Sequence, residues 1–136
     1  MSPGQRRDPA GTGGESAGAA VEKERERTAR RLEDLARIGQ LAAGIVSKGQ
    51  EAYLADSLDG QILRAAGREQ VVEVATVVER LPDAFKAEHA AIEWVKIQRM
   101  RNMVAHHYDR VQDDFVWETL RTRIPGLLRD LGVGGA

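Results

Sequence analysis

The chain has three histidines, His89, His106 and His107, and two of them are adjacent. They fall at the end of the run Arg101-Asn102-Met103-Val104-Ala105-His106-His107-Tyr108. That run holds a fixed cation, an amide, two groups that titrate near neutrality and a phenol. A neutral imidazole, with an ordinary pKa of about 6.5, takes a proton from a hydroxyl at cellular pH. Arginine presents a planar fork of donors that fits phosphate oxygens. Phosphodiester cleavage needs both, a base for the attacking hydroxyl and a cation for the charge that builds on phosphorus. RNA brings its own nucleophile, the 2′-hydroxyl. Chemistry of this kind requires no metal and no cofactor.

Spacing sets a condition on that reading. At about 100° per residue, Asn102 and His106 lie about 40° apart on one helix face, and Arg101 and Tyr108 about 20° apart on another. Arg101 and His106 are separated by about 140°, so one straight helix does not aim them at a single point. The length of arginine, a helix end near His106, or a second subunit would each close the gap. Each residue also has a plain structural use. Arg101 can stack on Trp94 or Tyr108 or cap carbonyls at a helix end. A histidine near a helix C-terminus gains a few tenths of a kcal/mol from the dipole. Tyr108 can be a core aromatic with its hydroxyl at the rim, and His89 reads as a surface residue. Zinc binding by His106 and His107 is disfavoured, because adjacent helical residues point about 100° apart.

The elements that must position these residues are helical. From Val21 the chain runs Glu-Lys-Glu-Arg-Glu-Arg, a solvated helix start, and then Leu32, Leu35, Ile38, Ala42, Ile45 and Gly49 recur at three- and four-residue steps. That is one buried stripe on an amphipathic helix, ending near Gly49 or Tyr53, with a turn over Asp56 to Gly60. A second helix is predicted from Ile62 to Leu81, where Pro82 stops it; Gly67 weakens its middle by about 1 kcal/mol relative to Ala. The third, from Glu88 to Tyr108, carries the stripe Trp94, Ile97, Arg101, Val104, Tyr108 and Val111. Asp113 or Asp114 is placed to cap the fourth helix, which shows Trp117, Leu120, Ile124, Leu128 and Leu131, with a kink at Pro125. An all-α, up-and-down antiparallel four-helix bundle follows. Residues 1–27, rich in Gly, Ser, Ala and charge, read as a disordered or weakly helical tail. Residues 28–132 read as the domain and 133–136 as a frayed end.

Composition narrows the function classes. The chain is 42% apolar but only 4% aromatic, so its core must be Leu, Ile, Val and Ala packed between helices. Twenty basic against 21 acidic residues leave a net charge of −1, which gives no non-specific grip on nucleic acid or anionic membranes but leaves room for a local basic cleft. The absence of cysteine removes disulfides, thiolate zinc sites and cysteine nucleophiles. No apolar run approaches the roughly 20 residues of a membrane span, and a soluble cytoplasmic protein is expected.

The arrangement Arg101, four residues, His106, one residue, Tyr108 resembles the Arg-x4-His-x-Tyr signature of HepT-like HEPN toxins. Trp94, Ile97, Met100, Arg101 and Asn102 are similar to that family's Trp-x-x-Ile…Met-Arg-Asn run, and Trp117, Pro125 and Leu127 resemble its last helix. The likeness covers roughly Arg30 to Leu131 and is strongest from Trp94 onward. It implies an HEPN-like four-helix bundle that dimerises, placing both motifs at a shared cleft. It also implies a metal-independent endoribonuclease, the toxin of a type VII toxin–antitoxin system, acting on tRNA or mRNA. Arg101 and His106 would then be the catalytic pair, with Asn102 orienting one of them. The implied partner is a minimal nucleotidyltransferase antitoxin that attaches AMP to Tyr108, adding charge and bulk that repel RNA phosphates. His107 occupies a variable motif position. One departure stands out: many relatives carry a Gly-Glu pair in the second helix where this chain has Ala75-Thr76. That residue favours the rival expectation, a non-catalytic HEPN module that binds RNA or a nucleotidyltransferase without cutting. A helical adaptor in which Arg101 and His106 merely pack is a further rival.

Overall fold

The computed structural model describes the backbone of residues 9–106 and 110–134, and the side chains of residues 16–106 and 112–134. Among these the architecture is all-α, without strands. The elements are α1 (Pro9–Val46), α2 (Gln50–Leu54), α3 (Leu58–Glu79), α4 (Asp83–Glu88), α5 (Trp94–His106), α6 (Arg110–Glu118), a π-helical turn (Thr119–Arg123) and α7 (Ile124–Leu131). The long helices α1, α3, α5 and the continuous α6–π–α7 rod make the expected four-helix bundle, and α2 and α4 are short connectors.

Most of the predicted stripe positions form the core, with Leu32, Trp94, Arg101 and Leu131 only partly covered. Leu35, Ile38, Ala42 and Ile45 of α1 are buried with Val71, Val74, Ala75, Val77 and Val78 of α3. Ile97, Met100 and Val104 of α5 close one side, and Val116, Trp117, Leu120, Ile124 and Leu128 the other. Small β-branched and aliphatic side chains let the helices approach closely, as the low aromatic content requires. Gly67, which the propensity scale marks as a weak point, sits where α3 meets Tyr53 and Leu120. A Cβ there would lie 2.6 Å from the Tyr53 hydroxyl and 2.9 Å from Leu120 Cδ1.

Several boundaries differ from the sequence expectation, each for a local reason. α1 begins at Pro9, within the segment read as a disordered or weakly helical tail, and its side chains are exposed from Ser16 to Arg27. α3 starts four residues early because Ser57 caps it, its hydroxyl accepting from the Gly60 amide at 3.0 Å. The expected single helix from Glu88 to Tyr108 is two elements. The indole N–H of Trp94 donates to the Lys86 carbonyl at 3.1 Å, satisfying the end of α4, and α5 starts afresh at Trp94. His89 caps α4 half-buried, not on the open surface, with its ring 4.4 Å from that of Phe85.

The fourth rod is modified where Pro125 predicted a kink. Proline has no N–H to give the carbonyl four residues back. The preceding turn widens so that the Ile124 amide reaches the Thr119 carbonyl, a π-type bond. At its end, Gly132 adopts a left-handed conformation (φ 69°) and the Val133 amide donates to the Leu128 carbonyl at 2.8 Å. This is a Schellman cap, so the chain is fastened as far as Val133.

Candidate active site on helix α5

Helix α5 presents three faces with three uses. Ile97, Met100 and Val104 point into the core. Val95, Arg99, Asn102 and His106, spaced four, three and four residues apart, are all exposed. Asn102 and His106 therefore share an open face, as their spacing predicts, and His106 is the last residue of the helix. Arg101 lies on the flank that borders α3.

On that flank Arg101 has a partner the sequence reading did not name. Its guanidinium lies 3.6 Å from Glu79 Oε1, with both side chains substantially exposed. One turn back along α5, the Gln98 amide donates to the Ala75 carbonyl at 3.3 Å. These two contacts hold the Arg101 flank of α5 onto the last turns of α3. Arg101 stacks on neither Trp94, whose indole serves α4, nor any other described ring.

The Ala75-Thr76 departure now has a physical meaning. Ala75 is fully buried, its small side chain admitting α5. Thr76 is half-buried, and its hydroxyl donates to the Val72 carbonyl of its own helix at 2.9 Å. The carboxylate that meets Arg101 comes from Glu79, three residues and about one turn further along α3. Residues three apart share a helix face, so Glu79 stands on the same side of α3 as Thr76.

The end of α5 is tied to the fourth rod. Gln112, 1% exposed, donates its amide to the Val104 carbonyl at 2.9 Å. Asp113, expected as a helix cap, instead lies within α6. It is ion-paired with Arg68 at 3.6 Å and Arg64 at 3.9 Å. Arg64 also donates to the carbonyls of Tyr53 and Ala55 at 2.9 and 2.8 Å. Asp114 is likewise inside α6. These polar contacts anchor both neighbours of the motif's last residues. Tyr108 and His107 themselves lie outside the described residues.

The structure thus brings Arg101 to Glu79 and puts Asn102 beside His106 on an open face. It does not join Arg101 to His106: no hydrogen bond or contact connects them among the described residues. Five residues of helix separate them by about 7.5 Å along the axis. Within one chain the two groups diverge.

An all-α bundle whose third long helix carries an Arg-x4-His pair at its exposed end defines a domain of the HEPN-like class. Residues 32–132 match the family described as Ribonuclease HepT-like, and the chain belongs to that family. It is also similar to the protein named "Putative RNase TTE0752" of Caldanaerobacter subterraneus subsp. tengcongensis, at 33% identity over 54 residues, 40% of this chain and 48% of that one. The match spans about half the length of that relative. No solved structure matches the chain. No described helix is long and apolar enough to cross a membrane.

Proposed function

We propose that the chain is an endoribonuclease that cleaves RNA without a metal, the toxin of a toxin–antitoxin pair acting in the cytoplasm. His106 exchanges the proton of the 2′-hydroxyl or of the leaving oxygen. Arg101 binds the phosphate and offsets the charge that develops on it. Asn102, on the same face as His106, orients the imidazole or the phosphate. Tyr108 is the regulatory residue, to which a minimal nucleotidyltransferase antitoxin adds AMP.

The observation that carries this reading is the placement of the motif at an open helix end. Arg101 and His106 are accessible rather than spent in the core, and the family of the chain is a ribonuclease family. The divergence of the two residues within one chain supports the dimer that the resemblance implies. Among the described residues nothing covers the stripe Val95, Arg99, Asn102 and His106, and Val95 is 64% exposed, which fits a face that a second copy covers.

Induced expression of the wild type beside His106→Ala, with total RNA examined from both cultures, tests the proposal. Growth arrest and new RNA fragments with the wild type alone are expected. Arg101→Ala should behave as His106→Ala does, with an unchanged helical spectrum. Full toxicity of His106→Ala would sink the mechanism.

One observation favours a second reading, a binding module that does not cut. Thr76 stands where many relatives have glutamate, and its hydroxyl is committed to its own helix. That reading expects healthy growth and intact RNA in both cultures with soluble protein present.

A further inference from the structure

A groove of about 360 Å³ runs along the seam between α3 and α5. Ala65, Arg68, Glu69 and Val72 of α3 wall it, with Val104 and Ala105 of α5. Its position relative to the motif is informative. Ala105 lies four residues beyond Arg101, hence on the same stripe of α5, and immediately precedes His106. The groove therefore sits between the levels of Arg101 and His106. It lies on the same flank of α5 as Arg101, so RNA held at Arg101 passes beside it.

Its chemistry does not suit a phosphate. Glu69 stands on the wall, and Glu73 follows one turn along α3. Partial desolvation, together with the neighbouring Glu73 carboxylate, holds the Glu69 carboxyl above the usual carboxylate range. Two crowded carboxylates repel an anion and attract N–H donors. The other groove residues, Ala65, Val72, Val104 and Ala105, offer an apolar surface to a flat ring. Arg68 adds a guanidinium, fixed at the wall by its ion pair with Asp113. The ligand that fits has an apolar face, adjacent N–H donors and, elsewhere on its edge, acceptors for arginine.

Among the bases of RNA, guanine has that pattern. Its N1–H and N2–H2 are adjacent donors for a carboxylate, and O6 with N7 are the acceptors that arginine pairs with most often. Adenine and cytosine place an acceptor beside their amino group, and uracil has a single N–H. We propose that the α3–α5 groove is a guanine subsite, read by Glu69 and Arg68, that sets where the chain engages RNA. The proposal rests on the ribonuclease reading for its biological use but not for its test.

The test separates binding from cutting. Labelled 2′-O-methyl pentanucleotides, which lack the nucleophile and cannot be cleaved, are titrated with the full-length wild type and with Glu69→Ala. The central base is guanine, hypoxanthine, adenine, cytosine or uracil. Alanine is the best helix former, so the variant should keep its fold, as circular dichroism will record. The wild type should bind the guanine oligomer about tenfold more tightly than the hypoxanthine one, which lacks only the N2 amine. Glu69→Ala should bind the two alike. Wild-type binding that is absent, or equal for all five bases to within about twofold, overturns the proposal. So does a Glu69→Ala variant that keeps the preference. The same sequences with free 2′-hydroxyls are then assayed for cleavage. Guanine-selective binding without cleavage leaves the subsite standing and removes the ribonuclease reading. Cleavage with no base preference in binding does the reverse.

Discussion

Arg101 and Glu79 have side-chain exposures of 41% and 59%. An ion pair so open to water contributes about 0–1 kcal/mol to stability. Its worth is in geometry, because it decides where a half-exposed guanidinium points before substrate arrives. Glu79→Gln removes the charge and keeps the shape. It should leave the thermal midpoint within about 2 °C, as expected for a surface change of a few tenths of a kcal/mol. RNA cleavage should fall about tenfold, mainly in kcat, with Glu79→Asp partly restoring it. An unchanged cleavage rate in Glu79→Gln would show that Arg101 finds its place without α3. Glu69, one face over on the same helix, makes a prediction in pH. Its folded carboxyl is raised, by desolvation first and then by Glu73. A raised acid contributes stability while protonated and loses it as pH rises through the folded value. Glu69→Gln should therefore raise the thermal midpoint at pH 7 and change it little at about pH 4, near the ordinary glutamate value. Melting curves at the two pH values check the sign.

Among the elements, α3 shows how local preference yields to packing. Glycine in a helix interior costs about 1 kcal/mol against alanine, so propensity alone recommends Gly67→Ala. The added Cβ would sit 2.6 Å from the hydroxyl and 3.0 Å from Cε1 of Tyr53, with Leu120 at 2.9 Å. Tyr53 is fully buried, with its ring 5.1 Å from that of Trp117, and has little room to retreat. The substitution should destabilise the protein by about 1–3 kcal/mol, the usual cost of overpacking a core, and a rise in midpoint would refute the account. Periodicity made such helices legible: of the expected stripes, Leu35 to Ile45, Ile97 with Val104, and Trp117 to Leu128 are buried, while Trp94 and Arg101 are only partly covered. It could not show the break before Trp94, since the stripe continues in register while an indole caps α4. Nor could it show Glu79, because the residue opposite Arg101 depends on the axial offset of α3 against α5, a quantity set by packing between helices. Asp113 was misassigned for the same reason, its carboxylate taken up by two arginines from another helix. The shared face of Asn102 and His106 was legible because both lie four residues apart on one helix.

For the whole molecule, the unanswered demand is convergence. A base and a phosphate-binding cation must approach one phosphodiester group within hydrogen-bond reach. The proposed pair, His106 and Arg101, is separated along α5 by about 7.5 Å and 140°. Arg101 is engaged on the α3 flank, whereas His106 faces outward. A two-fold dimer packed through the open face of α5 repeats both residues across the axis, since a symmetric interface brings the same patch from each copy. Each site can then take its arginine from one subunit and its histidine from the other. That arrangement makes a prediction that no single-chain site shares. Arg101→Ala and His106→Ala should each be inactive alone. After co-expression in equal amounts, about half of the dimers carry one of each chain, as random pairing requires. In such a dimer one site lacks both groups, and the other has an intact arginine from the His106→Ala chain facing an intact histidine from the Arg101→Ala chain. Cleavage should return to about a quarter of the wild-type rate, one live site in two on half of the dimers. If each site were built within one chain, every subunit in the mixture would lack one group and no cleavage would return. Val95→Asp, which puts a charge on the face proposed to pair, should yield monomers in sedimentation velocity and abolish that complementation. A Val95→Asp mixture that stayed dimeric and still complemented would place the interface on another face of the bundle, and complementation by monomers would overturn the shared site.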